Sequence, residues 1–303
     1  MQMRLRKLNR MKILAIGNIF LSTSIIAENF CTKDSEIYAD TLQNKISGAA
    51  IIISAVSAFL NIDATLCTKS VKNQRVDILF KKLESLGVCF EFVQADETSD
   101  ANTMISIYNQ YNERHCYTFL PNEVSAEDLQ LIDYSKYDVV FFCCIPYKEI
   151  KCLLDKGKFP IAQKTIIIAS GLTYQYLDVK GLKVFPDYIF MNAGELRGSL
   201  GVEEDDWLSF ERINTGDTKV IITMGKDGVV IKNNDVVSQY PVSDETNNIV
   251  HPGGAGDSFA AGYMAGQLKG WDDKESVSLG HKCAMSLLSV NSVEEYIDKI
   301  LKR

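Results

Sequence analysis

Proline is scarce in this chain, with six in 303 residues, and no Pro-, Gly- or Ser-rich stretch marks a linker. Repeats and low-complexity tracts are absent too. The length allows one large α/β domain or two small ones, and without a linker a single core domain is the economical reading. Basic charge is also in short supply. Thirty-two Lys and Arg stand against 39 Asp and Glu, a net charge of −7, whereas a surface that binds nucleic acid needs a basic excess. No nucleic acid is therefore expected as a main partner. No apolar run approaches the roughly 20 residues of a membrane span, and the basic start MQMRLRKLNR has no apolar core behind it, which excludes a secretory signal. Residues 1–10 read as an N-terminal extension, with Met11 a candidate functional start.

CxxC spacing is missing as well. The eight cysteines fall at 31, 67, 89, 116, 143, 144, 152 and 283, and Cys143 and Cys144 sit in the apolar run DVVFFCCI. That pattern fits reduced thiols packed as small hydrophobes in a cytoplasmic protein better than a disulfide frame or a zinc site.

What is present is a rhythm. MKILAIGN (11–18) reads as a buried first strand and GAAIIISAVSAFLN (48–61) as a buried helix. NQRVDILFKKLESLG (73–87) puts Val76, Leu79, Phe80 and Leu83 on one helical face, with Gly87 placed to end it. VCFEFVQ, TMISIYN and RHCYTF, between 88 and 119, alternate as half-exposed strands do. Further on, short β-branched runs at 138–144, 165–170, 187–192 and 219–225 are mostly separated by helical segments. This predicts a parallel sheet with helices on both faces. Residues 228–241 read as a hairpin turning at Asn233-Asn234-Asp235, and 256–270, 273–289 and 292–302 as closing helices.

The chemistry concentrates in HPGGAGDSFAAGYMAG (251–266). In such sheets ligands sit at the carboxyl ends of strands, where helix N-termini attract anions. Glycines 253, 254 and 256 let backbone N–H groups converge because no Cβ blocks their approach. Asp257 then falls in the first helical turn, where the dipole favours its ionised form. A phosphate cradle beside a carboxylate suits phosphoryl transfer to a hydroxyl. Taken alone, the run fits a Gly-rich turn before a tightly packed helix more readily, with Asp257 as a first-turn dipole partner.

GGAGDSFAAGYMAG resembles the signature D-T-x-G-A-G-D-x-F of the PfkB/ribokinase family of carbohydrate and nucleoside kinases. MKILAIGN is similar to that family's opening strand, NAGE (192–195) to its N-x-x-E element and TMGKDG (223–228) to its T-x-G-x-x-G turn. The resemblance runs over about 11–290. It implies a ribokinase-like fold: a central, mostly parallel sheet flanked by helices in a domain 11–303, with a small β lid from about 19–47 and 88–120. It also implies transfer of the γ-phosphate of ATP to a hydroxyl of a carbohydrate or sugar-like small molecule. By the same resemblance Gly254, Ala255 and Gly256 supply N–H groups to the phosphate and Asp257 deprotonates the acceptor. Asn192 and Glu195 hold Mg²⁺ through water, or else form an ordinary helix start. Thr223, Gly225 and Gly228 lie beside the nucleotide. Lids in this family often pair, which offers a homodimer through the lid as one assembly.

The acceptor end departs from the pattern. The family's G-D-x-x-x-D is GNIFLS here, giving Asn18 and Ser22, and its G-G-x-x-x-N is GAAIII, giving Gly48, Ala49 and Ile53. Its first signature Asp-Thr is His251-Pro252, which removes a group that often helps bind a monovalent cation. His251 itself reads as a loop histidine more readily than as a metal ligand. The altered pocket leaves two readings: an active kinase for an unusual hydroxyl substrate, or a kinase-like nucleotide-binding or regulatory protein with little turnover.

Overall fold

The computed structural model describes residues 11–69, 72–93, 100–111, 114–157, 164–168, 176–178, 180–201, 212–242 and 253–302. The extension 1–10 and the pair His251-Pro252 lie outside the described residues.

The first apolar run forms β1 (Lys12–Gly17), followed by β2 (Phe20–Ala27) and β3 (Ala39–Ser47). Then come α1 (Ala49–Phe59), β4 (Asp63–Lys69), α2 (Gln74–Ser85), β5 (Cys89–Val93), β6 (Thr103–Tyr108) and β7 (Arg114–Phe119). The short α3 (Ala126–Leu129) leads to β8 (Val139–Cys143), α4 (Tyr147–Asp155) and β9 (Lys164–Ile168). A two-residue pair, β10 (Leu177–Asp178) and β11 (Gly181–Leu182), precedes β12 (Tyr188–Asn192), α5 (Ala193–Leu200) and β13 (Lys219–Thr223). The hairpin β14 (Val229–Asn233) and β15 (Val236–Tyr240) and the helices α6 (Ala255–Leu268), α7 (Asp273–Leu288) and α8 (Val293–Leu301) complete the chain.

Among the described residues, nine strands form the large sheet in the order β15-β14-β13-β12-β9-β8-β1-β4-β5. From β13 to β5 every pairing is parallel, and the hairpin closes the other edge antiparallel. Alternation along each strand feeds two cores. Ile13 and Ala15 of β1 face one with α1, α6 and α8, and Leu14 and Ile16 face the other with α4 and α5. Helix α1 is apolar nearly all round because Ala50 to Ser57 are all buried, against β1 and β4 on one side and α6 on the other.

A second, four-stranded sheet has the order β3-β2-β6-β7. The expected lid range of 88–120 therefore divides. Cys89–Val93 pairs in parallel with β4 as the edge of the large sheet, since a strand returning through α2 rejoins the sheet it left. Only β6 and β7 join β2 and β3. All eight cysteines are free. Cys67, Cys143 and Cys283 are buried as expected, but Cys31, Cys89 and Cys116 are exposed, so packing as small hydrophobes does not describe those three. No helix among the described residues is long and apolar enough to cross a membrane.

Candidate active site

Strands β1, β8, β12 and β13 end at Gly17, Cys143, Asn192 and Thr223, along one edge of the parallel sheet, where such folds bind ligands. Helix α6 begins at that edge. Its cap, Gly254, has φ 85° and makes no side-chain cap bond, so the N–H groups of the first turn, from Ala255, Gly256 and Asp257, have no side-chain acceptor among the described residues. A Cβ on Gly254 would overlap the Ile52 Cδ1 of α1 and lie 3.1 Å from the Leu287 Cδ2. A Cβ on Gly256 would meet nothing within 4 Å, so its face is open to an approaching group. Gly254→Ala is therefore expected to cost about 1–3 kcal/mol through strain and overlap. Urea unfolding measures it, and an unchanged midpoint would show that α1 simply yields.

Asp257 stands in the first turn of α6. Part of its side chain stays open, yet protein surrounds it closely enough that desolvation raises its pKa to about 7, against the pull of the Arg114 guanidinium. Glu195, in the first turn of α5, is likewise raised to about 7 by burial, helped by the Asp257 charge and opposed by its bonds to Asn192 and by Arg114. Two carboxylates held near neutrality within each other's field form the electrostatic centre of the site.

Asn192 and Glu195 form a reciprocal capping box. The Glu195 N–H donates to Asn192 Oδ1 at 2.9 Å, and the Asn192 N–H donates to Glu195 Oε2 at 2.8 Å. The helix start considered from the sequence is thus present, and it orients the Glu195 carboxylate. Thr223 ends β13, Gly225 opens a single turn with φ 58°, and Gly228 begins the hairpin with φ 92°.

At the acceptor end, Asn18 is buried, and its Oδ1 accepts the Val124 N–H at 2.8 Å. Ser22 is buried and shares a short hydrogen bond with the Ser47 hydroxyl. Gly48 caps α1 so close to the Asn18 carbonyl that a Cβ would fall 2.6 Å from its oxygen, and Ala49 opens the helix. Ile53 is fully buried in the core, whereas Ile52 lies against Gly254. The side chain of α1 that lies at the glycine loop is Ile52.

Sequence reasoning missed Arg114. It opens β7, its guanidinium donates to the Tyr108 hydroxyl, and its charge acts on both Asp257 and Glu195. Nothing local marks it, because only the second sheet brings residue 114 towards residues 195 and 257. Among the described residues, no group of three or more His, Cys, Asp or Glu gathers into a ready-made metal site.

The architecture is that of the ribokinase-like kinases. It superposes on the ribokinase of Cryptococcus neoformans, solved with ADP, with a TM-score of 0.77 over 97% of this chain and 99% of that one, at 13% identity. Residues 10–299 match the pfkB family carbohydrate kinase profile, and the chain belongs to that family. The chain is 33% identical to an ATP-dependent 6-phosphofructokinase of Thermoanaerobacterium thermosaccharolyticum over 284 residues, 86% of this chain and 83% of that protein. A match to an adenosine kinase of Dictyostelium discoideum, 31% identical over 103 residues, spans 33% of this chain and 29% of that one.

Proposed function

We propose that this protein transfers the γ-phosphate of ATP to a hydroxyl of a sugar-like small molecule. The observation that carries this reading is Asp257 in the first turn of a glycine-capped helix, with an open glycine face, its pKa raised to about 7 by desolvation, and Glu195 within reach of its charge. A carboxylate of that pKa takes a proton from a hydroxyl far better than one of ordinary acidity. The N–H groups of Gly254, Ala255 and Gly256 take up charge on the moving phosphoryl group. Thr223, Gly225 and Gly228 line the nucleotide side, and the second sheet covers the acceptor as a lid. The kinase relatives support this reading, and the free cysteines suit a cytoplasmic setting. ADP formation that depends on an added acceptor, across sugars and nucleosides, tests it. Nucleotide binding with no acceptor-dependent ADP would leave a binding protein.

Two raised carboxylates suit a hydrated divalent cation, whose charge would favour their ionised forms. Mg²⁺ bound there through water would neutralise charge on the ATP phosphates. Asn192 and Glu195 would hold it, with the capping box fixing the carboxylate's direction. Glu195→Gln keeps the box, since Gln serves equally at that position. It is expected to raise the Mg²⁺ concentration for half-maximal rate several-fold. An unchanged Mg²⁺ dependence would reduce these residues to a helix cap.

The lid sheet also supplies an assembly surface. Leu42, Ile105, Tyr117 and Phe119 share one face by register and are 61%, 38%, 62% and 61% exposed. Contiguous exposed apolar surface of this kind marks association sites, which supports a homodimer through the lid. Sedimentation should give a dimer, and Leu42→Glu with Tyr117→Glu should give a folded monomer. A monomeric parent protein would remove the proposal.

A further inference from the structure

Strand β3 ends the second sheet, so alternate residues turn their backbone N–H and C=O groups away from β2, towards a side where no described strand lies. Two of these groups are answered by side chains of the main body instead. The Ile46 N–H donates to Glu294 Oε1 at 3.0 Å, and the Asn44 carbonyl accepts from Arg75 Nη2 at 2.9 Å. The same Nη2 donates to Glu294 Oε1 at 2.9 Å, so an ion pair stands where the next strand would be. Proteins commonly cover or blunt such edges, and here the cover falls at the foot of the lid, directly before Ser47.

The pair is built on a firm floor. Glu294 lies in the first turn of α8, capped by Ser292, and Arg75 in the first turn of α2, capped by Asn73. Val293 and Ile297 of α8 and Val76 and Leu79 of α2 enter the same core, and Lys82 pairs with Asp298 further along the two helices. Glu294 holds its place against a penalty. Its second oxygen, Oε2, is buried without a hydrogen-bond partner among the described residues, and a buried acceptor left unanswered is destabilising. Burial lowers the pKa of Lys45, beside Ser22 in the register, to about 8, and the Glu294 charge opposes that shift. An acid kept under these conditions, with its other oxygen on a lid backbone group, has the placement of a strut for β3.

We infer that Glu294 and Arg75 are positioning residues for the acceptor end of the site and act on it through β3. Ser47, whose hydroxyl bonds that of Ser22, follows Ile46 directly, and Gly48 then packs against the Asn18 carbonyl. The chain enters the β2–β3 hairpin at 18–19 and leaves it at 48, so both of its links to the main body meet here. Holding Asn44 and Ile46 fixes where Ser47 and Gly48 stand against Asn18 and Ser22. This rests on the kinase reading for what binds at that end, whereas the hold on β3 does not depend on turnover.

Amide hydrogen exchange and acceptor kinetics test this on the parent protein and on Glu294→Ala, Arg75→Met and Arg75→Lys. Glu294→Ala should speed exchange in a peptide spanning 41–49 by ~10-fold, the usual worth of a charged hydrogen bond, and leave peptides from β8 and α6 unchanged. Fructose 6-phosphate, ribose and adenosine are the acceptors, and the one giving most ADP is used throughout. Its KM should rise by ~10-fold in Glu294→Ala while kcat and the KM for ATP hold, the pattern of a lost binding contribution. Arg75 is exposed, so Arg75→Met should fold even if Glu294→Ala does not, and should move both readouts the same way by a smaller factor. Arg75→Lys keeps the charge without the fork and should restore part of the parent behaviour. Unchanged exchange at 41–49 would overturn the inference. So would quickened exchange with the acceptor KM unmoved, or a loss confined to kcat through less folded protein. Quickened exchange confined to 41–49, in a protein whose parent forms no acceptor-dependent ADP, would leave the hold on β3 standing and sink the kinase reading. Acceptor-dependent ADP with KM indifferent to every variant would do the reverse.

Discussion

Asp257→Asn is expected to lower kcat by about 10²–10⁴-fold, the usual worth of a positioned general base, while ATP affinity changes little. The substitution keeps the size and the helix position of the side chain but removes its basicity. The glycine cap, the open face at Gly256 and the N–H groups of the first turn depend on backbone and remain. The pH profile supplies a second readout. With the carboxyl raised to about 7 by desolvation, the base is protonated below that pH and ionised above it, so the rate should rise with pH through an acid limb near 7, or lower where bound Mg²⁺ favours the ionised form. Glu195 is raised to about 7 as well and feels the Asp257 charge, so the acid limb belongs to the pair rather than to either group. The limb should be absent or displaced in Asp257→Asn. Equal kcat in variant and parent on a true acceptor would remove Asp257 from the chemistry.

Arg114→Met is expected to lower kcat/KM by about 10²–10³-fold, comparable to losing one preorganised donor to a developing charge. Its guanidinium lowers the pKa of Asp257 and of Glu195, opposing burial. Removing it should therefore raise both values and move the acid limb of the pH profile to higher pH. A purely structural role for Arg114, through its bond to Tyr108, would reduce the amount of folded protein but leave the limb in place. Rates measured from pH 5.5 to 9 on parent and variant, normalised to folded protein, separate these outcomes. Lys at this position keeps the charge but loses the planar fork, so Arg114→Lys should restore the limb more fully than the rate.

Much of the architecture was legible because it is written in short-range pattern. β-branched runs such as TIII and KVIIT become parallel strands because both their faces are covered, and Asn234 takes φ 53° in the turn of the hairpin. Gly254 was legible as a backbone requirement, since few residues other than glycine adopt φ 85° against a neighbouring helix. The phase of α1 was less so. The family pattern marked Ile53 as an acceptor position, and a helix that is apolar all round gives no signal of which residue faces α6. Cys89–Val93 was ambiguous for a related reason. A half-exposed edge strand of a large sheet and a lid strand show the same alternation, and only the return through α2 assigns it.

The sequence by itself determined the strand–helix order, the glycine-capped helix with Asp257 in its first turn, and the loss of acids at positions 18 and 22. Each is a property of residues near one another in the chain, where periodicity and backbone preference act directly. Only the tertiary structure decided that Arg114 acts on Asp257 and Glu195, that Ile52 touches Gly254, and that Lys45 lies buried beside Ser22. Those relations depend on sheet order, strand register and helix phase, which are fixed by packing between segments tens to hundreds of residues apart. A one-residue slip in β3 would turn Lys45 to the opposite face without altering any local pattern.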